Sequence, residues 1–80
     1  MWKENDNNLS RSFEFPDFKT AFAFMTRVAA KAEEMNHHPT WTNSYNVVDI
    51  SLSTHDAGDI VTDNDRRLAK AIDEVADTVS

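Results

Sequence analysis

Histidines and nearby acids are the residues of this sequence best suited to chemistry. His37 and His38 are adjacent, and His55 is the only other histidine. The acids Glu33 and Asp65 could reach the same place if the chain folds back on itself. An imidazole has an unperturbed pKa of about 6.5, so it gives and takes protons near neutral pH. Histidines beside carboxylates therefore favour general acid–base chemistry.

Other interpretations of these histidines remain open at this point. A histidine pair at a helix end could simply bond the last carbonyls and interact with the helix dipole. A three-histidine zinc site is disfavoured, because adjacent side chains on an extended segment point apart. A Ser-His-Asp nucleophile is disfavoured as well, since Ser44, Ser51 and Ser53 lie in regular strand patterns. The single glycine, Gly58, excludes a glycine-rich phosphate loop.

A long amphipathic helix is predicted immediately before the histidine pair. Asp17 can cap its start, and Pro39 requires it to end at or before His38. Its apolar residues recur at steps of three and four and are predicted to face the core: Phe18, Phe22, Met25, Val28 or Ala29, Ala32 and Met35. Three apolar residues fall off this stripe and are predicted to offer a protein interface: Ala23, Phe24 and Ala30.

Two hairpins are predicted to flank this helix. Residues 9–15 alternate between apolar and polar types, and a polar Asn/Asp turn separates them from a short strand at 2–4. Strand patterns at 41–45 and 48–54 form the second hairpin around Asn46. His55 is expected at the end of the last strand and, by alternation, on its polar face with Asp49, Ser51 and Ser53.

A second helix completes the predicted fold. Thr62 followed by Asp65 resembles a capping box. The apolar residues beyond it have helical spacing and run to the C-terminus: Leu68, Ile72, Val75 and Val79. The order ββαββα predicts an α+β fold in which a four-stranded antiparallel sheet carries both helices on one face. Residues 1–80 are expected to form one domain.

Bulk composition narrows the class of protein. The 80 residues are 40% hydrophobic, contain no cysteine and carry a formal charge of −6. Such a charge opposes binding to a phosphate backbone, so no direct nucleic-acid partner is expected. No stretch resembles a signal peptide or a membrane span, so we expect a cytoplasmic protein without a membrane partner. A core this small favours association between copies.

Residues spread over most of the chain resemble a known family. The spacing of one set is similar to the signature of the pterin-4a-carbinolamine dehydratases: Glu33, His37, His38, Pro39, Tyr45, His55 and Asp65. The stretches DFKTAFAFMTRVAAKAEEMNHHPTW, LSTHDAG and LAKAIDEVA also resemble that family. The resemblance implies an α+β fold and the dehydration of 4a-hydroxytetrahydropterin to quinonoid dihydropterin. This reaction recycles the cofactor of aromatic amino acid hydroxylases.

The resemblance also implies roles for single residues. His37 and His55 would transfer protons, and His38 would bind substrate and share the catalytic work. Substrate binding is implied for the remaining members of the site: Glu33, Pro39, Ser53, Thr54 and Asp65. Asp63 could replace Asp65, because the loop at 56–61 is one residue longer than the common pattern.

The implied ligands and partners follow from the same resemblance. The pterin is the substrate, and neither a cofactor nor a metal is implied. Members of the family form dimers and tetramers, so the resemblance implies a homodimer or homotetramer. Some relatives also serve as dimerisation cofactors of a transcription factor, so a non-catalytic interaction module is the alternative function.

Overall fold

Strands and helices follow the predicted order ββαββα in the computed structural model, which describes residues 1–79. The elements are β1 (Lys3–Asn5), β2 (Asn8–Glu14), α1 (Phe18–Met35), β3 (Thr40–Ser44), β4 (Val47–Leu52) and α2 (Asp63–Val79). A short 3₁₀ helix, His55–Ala57, lies between β4 and α2 and was not anticipated from the sequence. The predicted α+β fold is therefore confirmed, with a helical turn added beside the third histidine.

The sheet joins the two hairpins through its central strands. Its strand order is β1-β2-β4-β3, and every neighbouring pair is antiparallel. Phe13 of β2 lies opposite Val48 of β4, so the apolar faces of both strands point the same way. Each hairpin turn contains a residue with positive φ, Asp6 or Tyr45, both at 50°. The pairing of β3 with β4 sets Thr40 opposite Ser51, so the segment that follows α1 lies beside the end of β4.

The core lies between one face of the sheet and the two helices. The sheet and Phe15, which directly follows β2, contribute the predicted apolar face; its members in the strands are Leu9, Phe13, Val48, Ile50 and Leu52. The predicted stripe of α2 is also buried through Leu68, Ile72 and Val75. Burying each large side chain of this kind contributes about 1.5–3 kcal/mol. No helix within residues 1–79 is both long and apolar enough to cross a membrane.

The buried face of helix α1 agrees with the predicted stripe in its C-terminal half, where Val28 and Ala32 are buried and Met25 and Met35 pack against the core, and differs from it in the first turns. Its buried residues are Ala21, Phe24, Val28 and Ala32. Phe24 is fully buried, and its ring centroid lies 4.9 Å from that of Phe13 and 4.8 Å from that of Phe15. Phe18 and Phe22 are instead 46% and 56% exposed.

The predicted interface at Phe24 and the predicted burial of Phe18 and Phe22 were therefore wrong. Both faces of α1 carry apolar residues at steps of three and four, so periodicity alone does not choose between them. The observed face brings the Phe24 ring against Phe13 of β2 and against Phe15, which directly follows that strand.

Both ends of α1 are fixed by their caps. Asp17 accepts a hydrogen bond from the Thr20 N–H at 2.8 Å, as predicted for an N-cap. At the other end Asn36 adopts a left-handed backbone, with φ 52°, and the His37 N–H donates to the Ala32 carbonyl at 3.0 Å. This cap ends the helix before the histidine pair and sets the direction in which His37 leaves it.

Candidate active site

All three histidines line one cleft of about 240 Å³. Two chain segments form its walls, one directly after α1 and the other directly after β4. The lining residues are Asn36, His37, His38, Ser53, Thr54, His55 and Asp56. The fold thus brings together residues that are separated in sequence by the whole β3–β4 hairpin.

The deepest contact of the site joins His37 to Asp65. The His37 Nε2 atom lies 2.5 Å from Asp65 Oδ1, and the histidine side chain is 14% exposed. Asp65 is 0% exposed, and within residues 1–79 it is the one charged residue buried in this way. Its Oδ2 atom also accepts hydrogen bonds from the Thr62 N–H at 2.9 Å and from the Thr54 hydroxyl at 2.8 Å.

These contacts decide the charge of Asp65. Burial raises the pKa of this carboxyl, but hydrogen bonds from His37, Thr62 and Thr54 outweigh that effect and hold the pKa below its usual value. Asp65 also lies in the first turn of α2, where the helix dipole favours a negative charge. The side chain is therefore an ionised acceptor at neutral pH.

Asp65 also forms half of the predicted capping box. Its carboxylate accepts from the Thr62 N–H, as the acidic residue of such a box does. The Thr62 hydroxyl contacts the Thr54 hydroxyl at 2.6 Å. Asp63, the alternative carboxylate, is exposed and does not line the cleft. The structure thus places Asp65, and not Asp63, against a histidine.

His38 forms a looser pair with an acid on the outer side of the site. Its Nε2 atom lies 3.5 Å from Glu33 Oε2, and both side chains are mostly exposed. Glu33 belongs to the last turns of α1 and does not line the cleft itself. Pro39 is partly buried and likewise lies outside the cleft wall. Neither of these two predicted site residues lines the cleft, but both are next to His38, which does: Glu33 through its side chain and Pro39 along the backbone.

His55 lies at the opposite wall and is 90% exposed. Because β4 ends at Leu52, His55 begins the 3₁₀ helix and does not continue the strand. The expected position at a strand end was therefore wrong, since the chain leaves the sheet three residues earlier. His55 Nδ1 lies 3.0 Å from Asp59 Oδ1. This hydrogen bond, with the charges of Asp59 and Asp56, raises the pKa of His55.

Thr54 and Ser53 differ in what they can offer a ligand. The Thr54 N–H donates to the Ile60 carbonyl at 2.8 Å, and its own carbonyl accepts from the Ala57 and Asp59 N–H groups. Its hydroxyl contacts Asp65 and Thr62. Ser53 lines the cleft, and its hydroxyl has no hydrogen-bond partner in the part of the chain that the structure describes. Ser53 is therefore the one with a side chain free to bind.

The site as a whole consists of three histidine–carboxylate pairs. Among residues 1–79 no group of three His, Cys, Asp or Glu side chains is arranged to hold a metal ion. Sequence reasoning missed Asp59, although it lies four residues after His55, and it missed the role of Thr62 beyond capping. Imidazoles beside carboxylates can donate and accept protons on a neutral organic molecule.

Comparison with known proteins places this arrangement in a family. The family described as Pterin 4 alpha carbinolamine dehydratase matches residues 1–75. A protein from Burkholderia pseudomallei (strain 1710b) is 61% identical over 67 residues, which are 84% of this chain and 65% of that protein. One from Burkholderia multivorans is 62% identical over 68 residues, 85% of this chain and 66% of that protein. Both are provisionally named pterin-4-alpha-carbinolamine dehydratase. The chain thus spans slightly less than two thirds of these relatives.

Solved structures share the fold. A transcriptional coactivator/pterin dehydratase from Brucella melitensis is 43% identical with a TM-score of 0.89, over 94% of this chain and 81% of that one. A pterin dehydratase-like protein, identified as a RuBisCO assembly factor in the alpha-carboxysome, is 27% identical with a TM-score of 0.80, over 94% and 88% of the two chains. The fold therefore occurs in proteins with different described functions.

Proposed function

The chain belongs to the pterin 4 alpha carbinolamine dehydratase family, and from that premise we propose that it converts 4a-hydroxytetrahydrobiopterin to quinonoid dihydropterin and water. The observation that best supports this proposal is the single cleft lined by His37, His38 and His55. The pterin is the substrate, and the proposal requires no further cofactor. In a cell the reaction would recycle the cofactor of aromatic amino acid hydroxylases.

The proposed reaction needs two proton transfers. The C4a–O bond breaks as the hydroxyl takes a proton and leaves as water. The N5 lone pair forms the C4a=N5 double bond, and the N5–H proton passes to a base. One proton is delivered and one is removed, so the reaction needs a positioned acid and a positioned base.

His55 is suited to deliver the proton. It is highly exposed, so it can approach a substrate held in the cleft. The hydrogen bond to Asp59, with the charges of Asp59 and Asp56, raises the pKa of His55 and increases its cationic fraction near neutral pH. We therefore assign His55 as the acid that protonates the C4a hydroxyl.

His37 is suited to remove the proton. Asp65 holds its Nε2 atom, so Nδ1 is left to accept the proton from N5. A buried carboxylate in this position orients the ring and stabilises the imidazolium that forms. His38, steadied by Glu33, binds the substrate and shares the catalytic work.

The remaining residues of the proposed site shape and support it. Ser53 offers a free hydroxyl to the polar edge of the pterin. Thr54 lines the same wall and fixes the loop that carries His55. Pro39 restricts the backbone of the histidine segment. Asp65 acts on the substrate through His37.

The proposal is tested by the rate of 4a-hydroxytetrahydropterin dehydration, followed by absorbance with a chelator present. The wild-type chain should accelerate the reaction. The catalysed rate should fall by about 10²- to 10⁴-fold in His37→Ala and in His55→Ala. His38→Ala should also remove most of it. Thr42→Val, an exposed change on β3, serves as the control. A folded wild-type chain without acceleration would reject the proposed function.

Self-association, in a homodimer or homotetramer, is the second candidate property. It is favoured by Phe18 and Phe22, exposed neighbours on α1 whose ring centroids are 5.8 Å apart. Phe22→Glu should lower the mass measured by light scattering while the chain stays folded. Phe24→Glu would place a charge in the core, so it tests stability and not association. An unchanged mass for Phe22→Glu would exclude this surface.

A further inference from the structure

The ionised state of Asp65 fixes the direction of every hydrogen bond around it. An ionised carboxylate only accepts, so His37, Thr54 and the Thr62 N–H must each donate. His37 therefore carries a hydrogen on Nε2. Thr54 has a single hydroxyl hydrogen, and that hydrogen points at Asp65 Oδ2.

The hydroxyl contact between Thr62 and Thr54 then has only one possible direction. The two oxygens are 2.6 Å apart, so one of them donates. The hydrogen of Thr54 is already used by Asp65, so the Thr62 hydroxyl must be the donor. The result is a directed chain of hydrogen bonds from Thr62 through Thr54 to Asp65, which meets the donor His37 at its end.

We propose that Thr62 is a positioning residue that acts through Thr54 and Asp65 to hold His37 in the tautomer protonated at Nε2. The catalytic consequence, a free Nδ1 to accept the substrate proton, rests on the proposed dehydratase function. The tautomer of His37 is independent of that proposed function.

The physical reason for the effect is cooperativity between hydrogen bonds. A hydroxyl that accepts a hydrogen bond becomes a better donor, so Thr62 strengthens the bond from Thr54 to Asp65. That bond holds one carboxylate oxygen while the other faces His37. A carboxylate held at both oxygens keeps its orientation, and the imidazole that donates to it keeps its orientation as well.

Two roles of Thr62 can be separated by substitution. Its backbone N–H caps α2 through Asp65, and this bond survives any change of side chain except proline. Thr62→Val keeps the branched shape and removes only the hydroxyl, whereas Thr62→Ser keeps the hydroxyl. Thr54→Val removes the next hydroxyl in the chain. Thr42→Val removes an exposed hydroxyl on β3 and serves as the matched control.

The first readout is the ring ¹⁵N chemical shift of His37 in protein labelled at histidine. The wild-type chain should show neutral His37 mainly as the Nε2–H tautomer. Thr54→Val should raise the Nδ1–H fraction, Thr62→Val should raise it less, and Thr62→Ser and Thr42→Val should match wild type. Unchanged His37 shifts in folded Thr62→Val would overturn the proposal.

The second readout is turnover. Thr62→Val should lower kcat by about three- to tenfold, the effect of losing one hydrogen bond, with KM unchanged and with recovery in Thr62→Ser. A raised KM at unchanged kcat would contradict a positioning role. If the wild-type chain shows no turnover, the proposed function fails, and the ¹⁵N shifts alone decide whether the hydrogen-bond chain sets the tautomer.

Discussion

The inner and outer parts of the cleft contain the same chemical pair in different surroundings. His37 and Asp65 lie 2.5 Å apart and are almost entirely buried, whereas His55 and Asp59 lie 3.0 Å apart and are mostly exposed. Donors from three segments between the helices and strands hold the inner carboxylate: His37, Thr54 and Thr62. The outer carboxylate has a short loop and solvent around it.

This difference shows that burial, and not residue type, gives the two pairs different physical properties. A buried pair with satisfied hydrogen bonds has one geometry and loses much when a partner is removed. An exposed pair is screened by water and salt, so it changes a pKa without fixing a position. The inner pair is therefore suited to hold a base in place, and the outer pair to supply a mobile acid.

The most severe test of the comparison is Asp65→Asn. The amide cannot accept from three donors as the carboxylate does, so we expect unfolding free energy to fall by about 2–4 kcal/mol. Asp63→Asn, two residues earlier and exposed, should cost less than about 1 kcal/mol, because it only weakens an interaction with the helix dipole. Urea denaturation measures both. Equal losses would remove the distinction between the inner acid and an ordinary surface acid.

Acid denaturation should show the second largest difference. The pKa of Asp65 is lower in the folded chain than in the unfolded one, even though burial alone would raise it, because its hydrogen bonds prevail. Its contribution to stability is therefore present above the unfolded pKa, which is about 3.9, and is lost as the pH falls through the folded value.

The check on this prediction is the stability difference between the wild-type chain and Asp65→Asn across pH 2–7. Other acids titrate in both proteins, so their effects cancel in the difference. We expect the difference to shrink as the pH falls below 4. A difference that stays constant to pH 2 would mean that Asp65 is not held as an anion.

A smaller effect is expected at the outer pair. Asp59→Asn removes the hydrogen bond and the charge that raise the pKa of His55, so the pKa should fall toward its usual value of about 6.5. Titration followed by NMR measures this directly. In wild type, 0.5 M salt should lower the pKa in the same direction, because the pair is exposed.

The stability contribution of the His55 pair has a definite sign. Since the folded pKa is above the unfolded one, the contribution is present below the unfolded pKa and is lost as the pH rises through the folded value. Asp59→Asn should remove this dependence. A His55 titration unaffected by Asp59→Asn would show that the outer pair does not tune this residue.

The smallest effect is expected for Glu33→Gln. Glu33 and His38 are 3.5 Å apart and mostly exposed, so their interaction should contribute at most about 0.5 kcal/mol to stability. Thermal unfolding of the two proteins should nearly coincide at pH 6. A loss comparable with that of Asp65→Asn would show that exposure does not separate the two parts of the cleft.

Much of the fold could be predicted because single elements carry strong local patterns. The alternation in β2 and β4 and the stripe of α2 predicted their buried faces correctly. The buried face of α1 was predicted correctly at Val28 and Ala32 but not in the first turns, because Phe22 and Phe24 both belong to acceptable helical stripes. Phe24 is distinguished by its contacts with Phe13 and Phe15 in another part of the chain, and the sequence of a single helix does not contain that information.

The sequence named candidate members of the site but did not give the contacts between them. Resemblance to the family pointed to His37, His38, His55 and Asp65, and spacing alone gave only the chemistry of imidazoles near acids. The contact of Asp65 with His37 depends on how α2 packs against the end of α1. The periodicity of residues within a single helix does not predict that packing. The early end of β4 moved His55 off the strand, because the chain forms a 3₁₀ turn there.

The bond between His37 and Asp65 spans 28 positions of the chain and reaches the first turn of α2. During synthesis the histidine segment leaves the ribosome well before Asp65 does, and until then His37 has no carboxylate to hold it. The inner part of the site is therefore complete only when α2 is packed against the rest of the domain. A nascent or truncated chain that ends before α2 would display the histidines without orienting them.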